Sequence, residues 1–337
     1  MKTKSIMPPH IRHGESTRTL SVNTMLALSF VYAMALFFYG PRAVALGVVS
    51  VVTCVITELL CLLLARKKIN IRDYSSIITG MVLPLMMPAS IAYHIVVVAG
   101  IFAIAVVKHP FGGTGQNVFN PAAGGFAFVV VSFGDKLFQY PLPLERMDVL
   151  ADLSGKIFSS SPAYTLGLGG RPQYEALSML LGNFPGPMGA TNILVILACL
   201  LYLVFRNTVH WTLPISFLST VAAYSWLFPR LIGGRSLSVV YEMTSGILLF
   251  GGVFLLGDPV TTPKRNVSKL VYGVSAGIVV MLFRRYGGYE EEFAFALLLL
   301  NAAVWPIDML IERISSKVRR KRFESESASG KKLPKKA

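Results

Sequence analysis

Long apolar runs separated by short polar breaks dominate the sequence from Val22 to Ile311. A helix needs about 20 mainly apolar residues to cross roughly 30 Å of hydrocarbon, and in lipid the backbone must satisfy its own hydrogen bonds. The pattern therefore predicts an all-α polytopic membrane protein with about ten transmembrane helices. Pro and Gly shorten or break the third, fourth and fifth segments. The predicted segments are 22–39, 42–65, 74–90, 91–107, 116–133, 189–205, 210–229, 240–257, 269–283 and 292–311.

Short strings recur in the same order in the two halves of the chain. Five predicted helices in each half is an odd number, so two related halves would have opposite orientations in the membrane. Inverted repeats with broken helices place binding sites near the membrane midplane. Chance similarity between helices rich in small residues is the alternative explanation. The paired strings are Thr79–Leu83 with Ser245–Leu249, Ala99–Ile101 with Ala276–Ile278, and Gly112-Gly113 with Gly287-Gly288.

Composition supports the membrane assignment and limits the partners. The chain is 53% hydrophobic and 15% charged, whereas soluble domains carry about 25% charged residues. Much of the net charge of +15 lies in the tail after Ile311, directly behind an apolar segment. Such a tail is typical of an anchor that faces anionic membrane lipid, so no nucleic acid is expected as a partner. The three cysteines lie in apolar runs without C-x-x-C spacing, and no metal site is predicted.

The distribution of basic residues predicts the orientation. If the N-terminus is cytoplasmic, most of the 32 Lys and Arg residues fall on the cytoplasmic side. An even number of helices then returns the C-terminus to the same side, and the long loop lies outside. The predicted organisation is an N-terminal segment 1–21, a first membrane repeat 22–133, an extracytoplasmic loop 134–188, a second membrane repeat 189–312 and a basic cytoplasmic tail 313–337.

Carboxylates within or beside the apolar segments are candidates for an ion path. Glu58 lies in the middle of one run, Glu242 opens the predicted eighth segment, and Asp258 and Asp308 lie at or within the later segments. A carboxylate is costly in the membrane and therefore needs a function or a partner. These groups either pass Na⁺ or protons, or they pair with a basic residue or cap a helix. Asp258 precedes Pro259, where capping is as good an explanation as ion transfer.

Two polar strings are candidates for ligand binding. In the first, Gly112 and Gly113 allow close backbone approach, and Asn117 and Asn120 add amide groups where the fifth segment opens. This string suits a planar, hydrogen-bonding ligand such as an isoalloxazine ring, or it forms a re-entrant turn without a ligand. The second string, Ser159–Leu166, has the composition of an ordinary polar turn.

Several long strings resemble those of the D subunit of the Rnf electron-transport complex and of the related B subunit of the Na⁺-translocating NADH:quinone oxidoreductase. The resemblance covers nearly the whole chain, and the length and short N-terminus favour the Rnf protein. The strings are PHIR at 9–12 with STR at 16–18, FGGTGQNVFNPA at 111–122, LLGNFPGPMG at 180–189, GDPVTTP at 257–263 and GGYEEEFAFALLLLNA at 287–302 followed by Asp308.

The resemblance implies a subunit of an enzyme complex in the bacterial inner membrane. That complex couples electron flow between ferredoxin and NAD⁺ to movement of Na⁺ or H⁺, with the other Rnf subunits (A, B, C, E and G) as partners. The subunit would not be active alone, and no catalytic residue is assigned to it. Its own sequence carries neither a Rossmann glycine fingerprint nor cysteines spaced for an iron–sulfur cluster.

The resemblance also implies an FMN joined to a Thr by a phosphoester on the outer side, and a second, non-covalent flavin, riboflavin or FMN. The acceptor motif of the family reads Ser-Gly-Ala-Thr. This chain reads Ser161-Pro162-Ala163-Tyr164-Thr165, with Pro in place of Gly and one extra residue before Thr. Thr165 is the candidate acceptor, and Tyr164 is a candidate aromatic neighbour for the ring.

Two other functions fit the same pattern. An inverted five-plus-five repeat also serves transporters or channels for small solutes, because fold alone does not determine function. A scaffold subunit without flavin is the other alternative, since the Ser161–Thr165 string departs from the family motif. Retained flavin distinguishes the first hypothesis from both.

Overall fold

The computed structural model describes residues 17–67, 73–151, 158–231 and 234–328, and it is mostly helical. Within these ranges, four helices are long and apolar enough to cross a membrane, or five if one bent pair counts as a single crossing. Shorter apolar helices accompany them. Large apolar side chains such as Leu64 and Phe205 are more than four-fifths exposed. A belt of exposed apolar side chains of this extent is what a lipid-facing surface requires.

The first half contains five helices, and Pro, Gly and Asn set several of their ends. Gly40 adopts a left-handed φ of 80° and Pro41 then occupies the first turn of α2. Pro84 lies in the last turn of α3, and α5 begins where the Asn120 side chain accepts from the Ala123 N–H. The helices are α1 Thr17–Tyr39, α2 Pro41–Leu64, α3 Ser75–Leu85, α4 Tyr93–Ile101, which continues as a π-helix over Phe102–Lys108, and α5 Pro121–Leu137.

The long loop holds short elements, and the second half repeats the alternation of helices. A bend of 58° separates α10 from α11, where Gly246 has a φ of 65°. The strands β1 Tyr140–Pro141 and β2 Phe158–Ser159 pair antiparallel. The remaining helices are α6 Pro162–Gly167, α7 Ala176–Leu181, α8 Ile193–Phe205, α9 Thr212–Leu227, α10 Arg235–Thr244, α11 Leu248–Phe254, α12 Asn266–Tyr286 and α13 Phe293–Ala328.

Small residues allow the helices to pack closely within each half. A side chain at Gly80 would meet the α2 backbone at Val51, and one at Gly277 would meet Thr220 of α9. Close approach at small residues is the usual basis of helix association in membranes, where van der Waals contact replaces the hydrophobic effect. The halves meet where α1 packs on α8 and α5 packs on α13.

Hydrogen bonds connect the helix termini at two ends of the molecule, which we call the loop end and the opposite end. At the loop end, Tyr39 donates to the Gly186 carbonyl at 3.2 Å, and Arg42 donates to the Val149 carbonyl at 3.3 Å. At the opposite end, Asn23 donates to the Thr208 hydroxyl at 3.1 Å, and Lys67 donates to the Gly112 carbonyl at 2.8 Å.

Three sequence-based predictions of local structure were wrong. The fifth segment begins at Pro121 rather than at residue 116, because Asn120 caps it and Asn117 lies in the preceding turn. The eighth is not one helix from 240 to 257, since α10 begins at Arg235 and the chain breaks before α11. Glu242 therefore lies in the last turn of α10 instead of opening a segment. The Ser159–Leu166 string begins a helix rather than forming a simple turn.

Other boundaries differ less. Helix α1 begins at Thr17, before the predicted residue 22, and α13 continues to Ala328, well into the predicted tail. The paired strands in the loop are a small exception to an all-α chain. Predictions that fall on residues 1–16 and 329–337 lie outside the described residues.

Candidate functional site

The short helix α6 presents Thr165 at the loop end. Ser161 caps this helix, because its hydroxyl oxygen accepts from the Tyr164 N–H at 3.2 Å. The Thr165 hydroxyl donates back to the Ser161 carbonyl at 3.2 Å. Ser161 as cap and Pro162 in the first turn are the residues that favour a helix start here. Leu166 is fully buried against Met179, Phe184, Leu231 and Tyr241, and this small cluster fixes the helix to the protein.

The side chains around Thr165 suit attachment of a phosphoester. The threonine is half-buried, and neighbouring Tyr164 is 48% exposed. A Cβ added at Gly167 or Gly169 would meet nothing within 4 Å, so there is open space at these two glycines, whereas Gly170 packs against the methyl group of Thr165. The hydroxyl oxygen donates one hydrogen bond and keeps lone pairs for reaction. An aromatic ring with an exposed face lies one residue away, which fits a planar group tethered at Thr165.

The turn between α12 and α13 hydrogen-bonds to the start of α6. The buried Ser161 hydroxyl donates to the carboxylate of Glu290, which also hydrogen-bonds Tyr140. Burial, and to a smaller extent the charge of Glu291, raises the pKa of Glu290 to about 8. A carboxyl group in this state holds its proton near neutral pH. The capping residue Ser161 is therefore hydrogen-bonded to a Glu290 carboxyl group that is largely uncharged.

Glu291 holds the break between α10 and α11. Its carboxylate accepts from the Ile247 N–H at 2.9 Å, and a side chain at Gly246 would collide with it. Burial raises the pKa of Glu291 to about 7. Its second oxygen has no hydrogen-bond partner among the described residues, and the same is true of one oxygen of Glu292. The turn thus contains buried acceptors that the fold does not use.

An arginine–carboxylate centre lies next to this turn. Glu242 is 1% exposed and faces Arg230 at 3.2 Å and Arg284 at 3.4 Å. Both contacts are ion pairs without hydrogen-bond alignment. Arg284 makes its aligned hydrogen bonds to the Glu242 carbonyl at 2.7 Å and to Ser245 at 2.6 and 2.8 Å. Arg284 therefore holds the last turn of α10 at the point where the chain breaks.

The glycine string lies at the opposite end. Gly112 and Gly113 have φ angles of 119° and 94°, which only glycine adopts readily. Asn117 donates to the Phe119 carbonyl at 3.1 Å, and Asn120 caps α5. The string forms a turn whose polar groups bond partly to one another and partly to neighbouring parts of the chain. The structure therefore separates the two sets of flavin candidates, with Thr165 and Tyr164 at one end and the glycine string at the other.

The candidate ion-path carboxylates form two groups. Glu58 pairs with Lys108 at 2.8 Å and with His109 at 3.2 Å. Asp258 accepts from the Val260 N–H and the Thr261 hydroxyl, and burial raises its pKa. Asp308 accepts from the Lys264 N–H at 3.4 Å. Asp258 and Asp308 thus both accept hydrogen bonds from residues of the segment 257–264, whereas Glu58 lies in the first half.

Sequence reasoning missed the support of the candidate site. Arg230, Arg284, Glu290 and Glu291 were not singled out as site residues. Three consecutive glutamates between two apolar helices, and an arginine at the end of one of them, were visible signals. Charged groups at such positions need partners, and here each of these four has at least one.

The fold and these centres define a multi-pass helical membrane protein with charged groups buried at both ends of its helices. Comparison with known proteins gives the family. The profile of the NQR2, RnfD, RnfE family matches residues 4–317, and the chain belongs to this family. The resemblance predicted from the sequence is confirmed.

The relatives are similar over most of their length. The chain is 31% identical over 310 residues to the D subunit of the Na⁺-translocating ferredoxin:NAD⁺ oxidoreductase complex of Acetobacterium woodii, covering 91% of this chain and 92% of the relative. It is 28% identical to the proton-translocating counterpart of Clostridium ljungdahlii, covering 93% and 95%. It is 31% identical to the D subunit of the ion-translocating oxidoreductase complex of Stutzerimonas stutzeri, covering 87% and 90%.

Proposed function

We propose that this chain is the flavin-carrying D subunit of an ion-translocating ferredoxin:NAD⁺ oxidoreductase. It works as one membrane subunit of the Rnf complex, with the other Rnf subunits as partners, and contributes to coupling of electron flow to movement of Na⁺ or H⁺. Family membership over nearly the whole chain supports this assignment over a solute transporter. Ferredoxin and NAD⁺ chemistry is assigned to the partner subunits.

The observation that carries the flavin assignment is the geometry of α6. Its capped first turn presents a half-buried Thr165 hydroxyl beside an exposed Tyr164 and open space at Gly167 and Gly169. The proposed ester joins Thr165 Oγ1 to the phosphorus of FMN, with net loss of one water relative to free FMN and free hydroxyl. When bound, the flavin supplies the electron-carrying chemistry.

The residues of this chain position that tether. Ser161 and Glu290 hold the start of α6, and Leu166 fixes its far side in a buried cluster. Because Glu290 is largely protonated near neutral pH, it does not add a negative charge close to the phosphoester. A second, non-covalent flavin, riboflavin or FMN, has Gly112, Gly113, Asn117 and Asn120 as its candidate contacts at the opposite end.

The proposed architecture is ten crossings in two inverted halves. Helices α1 and α8 run antiparallel, because Asn23 meets Thr208 and Ala27 meets Cys199. Each half also has an interrupted segment, α3 with the irregular residues that follow it, and the α10–α11 pair. The equivalent helices α5 and α13 pack on each other. These relations support a pseudo-twofold axis between the halves.

We further propose that the protein lies in the inner membrane with both termini cytoplasmic, so that the loop end faces outward. The five-part organisation predicted from the sequence is retained on this basis. Glu58, Asp258 and Asp308 are the proposed ion-path carboxylates, all placed towards the cytoplasmic side. The chain then offers an ion site at one side and a flavin at the other.

Cysteine labelling tests this topology. Ser154, in the predicted outer loop, lies outside the described residues, so Leu150, which is 90% exposed, is the better position. With Cys61 replaced by Ser, Leu150→Cys should react with an impermeant maleimide added to intact cells. Gln116→Cys, in the glycine string, should react only after the membrane is opened. Labelling of the two positions in the reverse pattern would overturn the orientation.

Variants at Thr165 test the flavin. The full chain is expressed with a flavin transferase, denatured, and examined for fluorescence in the gel. Thr165→Ala and Thr165→Val should abolish the fluorescent band while leaving membrane insertion unchanged, because only the acceptor oxygen is removed. Thr165→Ser keeps the hydroxyl and should retain part of the signal. Ser159→Ala, six residues away, is the matched control and should remain fluorescent; equal fluorescence of Thr165→Val would contradict the assignment.

A further inference from the structure

A cavity of about 470 Å³ lies at the opposite end of the molecule, away from Thr165. It is enclosed by the turn from α8 to α9 and by the segment between α11 and α12. Cavities of roughly 300–1,000 Å³ hold small organic ligands. A single inorganic phosphate would leave most of this volume empty. Its lining includes His210, Trp211, Lys264 and Lys269.

The polar part of the lining is basic. It contains two lysines and a histidine, and none of the described lining residues is Asp or Glu. His210 lies near enough to Lys269 that, after burial, the lysine charge is the second cause of its lowered pKa. The Nδ1 of His210 faces the Thr212 hydroxyl at 2.8 Å, which leaves Nε2 for another partner. The lining therefore carries positive charge and no acidic side chain. The neighbouring Asp258 carboxylate accepts instead from the Val260 N–H and the Thr261 hydroxyl, so the cavity suits an anion.

The remainder of the lining is apolar and continues onto the outer surface. Val209 and Leu213 are buried in its wall, whereas Trp211 is 57% exposed. Next to the cavity, Phe205 is 82% exposed and Val267 in the first turn of α12 is 61% exposed. Trp at the level of the headgroups with apolar residues beyond it is typical of a membrane interface. A ligand here has its charge against the lysines and its apolar part along the exposed helices.

We propose that this cavity binds the phosphate headgroup of an anionic phospholipid, with the acyl chains lying along Phe205 and Val267. Basic pockets between membrane helices bind such headgroups, and each Lys near the surface contributes. The shared chemistry is a phosphate ester on an amphiphile. FMN carries a phosphate attached to a planar ring, and inorganic phosphate is the anion alone. The experiment therefore distinguishes the lipid headgroup from both.

Native mass spectrometry of the purified full chain in detergent provides that test. Dioleoylphosphatidylglycerol and dioleoylphosphatidylcholine, which share acyl chains, are added together, with inorganic phosphate in a parallel arm. We expect the anionic lipid to be retained preferentially. Lys264→Gln combined with Lys269→Gln should weaken its retention by roughly 30-fold, since two surface lysines are lost.

The matched control is Lys136→Gln combined with Arg146→Gln. It removes the same charge from exposed positions at the loop end that do not line the cavity. This variant should retain the lipid within about twofold of the original chain. The proposal would be overturned if both double variants lost the lipid equally or if neither lipid were preferred. It would also be overturned if inorganic phosphate competed fully, or if the chain retained an FMN mass that the cavity variant abolished. Lipid retention is also measurable in Thr165→Ala protein, so its outcome is independent of the flavin assignment.

Discussion

In each half of the molecule a carboxylate lies against basic groups, Glu58 in the first and Glu242 in the second. The two centres differ in how many of their buried polar atoms have hydrogen-bond partners. In the first half, the Lys108 ammonium meets Glu58 at 2.8 Å, Ser75 at 2.7 Å and Ser76 at 3.2 Å. An ammonium has three donors, and all three are occupied. The Lys108 side chain is 2% exposed. The Lys108 ammonium is therefore fully bonded, and the one buried atom here without an aligned hydrogen bond among the described residues is the Nε2 of His109, 3.2 Å from Glu58.

In the centre of the second half, by comparison, several buried carboxylate oxygens have no hydrogen-bond partner among the described residues. Glu242 faces two arginines without aligned hydrogen bonds, and neighbouring Glu291 and Glu292 each have one buried oxygen without a partner among the described residues. Through Glu290 and Ser161, the same turn contacts the helix that carries Thr165. A fully bonded ion pair stabilises helix packing, whereas unused buried acceptors beside the proposed flavin tether are available to respond to charge. The loop-end centre is thus the one connected to the proposed redox site.

The largest effect is expected at Arg284. Arg284→Ala leaves Glu242 with one partner and removes four contacts at the break between α10 and α11. Breaking a buried ion pair costs about 3–5 kcal/mol, because a charge remains without its partner. The midpoint of thermal unfolding in detergent should fall and less folded protein should reach the membrane. Arg285→Ala, which removes an exposed neighbouring charge, should change both much less. A similar loss in the two variants would mean that the centre is not structural.

A smaller effect, specific to coupling, is expected at Glu58. Glu58→Gln keeps an oxygen that can accept from Lys108, so it should lower the amount of assembled complex less than it lowers turnover. Without the negative charge that the proposed ion path requires, ion-coupled turnover should slow roughly tenfold or more, which corresponds to a rise of about 1.4 kcal/mol in the barrier. Turnover in vesicles and the amount of assembled complex are measured together, with exposed Glu312→Gln as control. Unchanged turnover, or disappearance of the complex in proportion to activity, would assign Glu58 to packing alone.

The smallest effect concerns the pH dependence of stability. The pKa of Glu290 is raised to about 8 in the fold, above its value of 4.5 in an unfolded chain. Between these values the folded chain binds more protons than the unfolded chain, so the stability from this group is present at low pH and is lost as pH rises towards 8. Unfolding midpoints at about pH 6 and about pH 8.5 should therefore differ less in Glu290→Gln than in the original chain. An equal or larger difference would refute the linkage.

Local apolar pattern was sufficient to predict the long helices, and long-range contacts explain what it missed. Helices α2 and α12 lie within a few residues of the predicted segments, because their side chains face lipid or the core along their whole length. The break after α10 depends on Glu291, which is 44 residues away from the Ile247 N–H that it binds. No local period in the sequence records such a contact.

The candidate site was predictable only in part. Thr165 was identified from the resemblance, but its helix depends on burial of Leu166 and on Glu290, which is 129 residues away from Ser161. Lys108 was counted among the residues between segments, yet it is buried and pairs with Glu58 across 50 residues. Counting Lys and Arg residues predicts which side of the membrane a loop occupies. It does not show which of these side chains are buried in the protein.

The most direct test of the proposed flavin site is the mass of the peptide that contains Thr165. The full chain is produced with a flavin transferase, digested, and the peptide covering residues 161–171 is fragmented. We expect an increment equal to FMN minus water, located on Thr165 rather than on Ser161 or Tyr164. An unmodified peptide from protein made with an active transferase, or an increment on another residue, would contradict the proposed site.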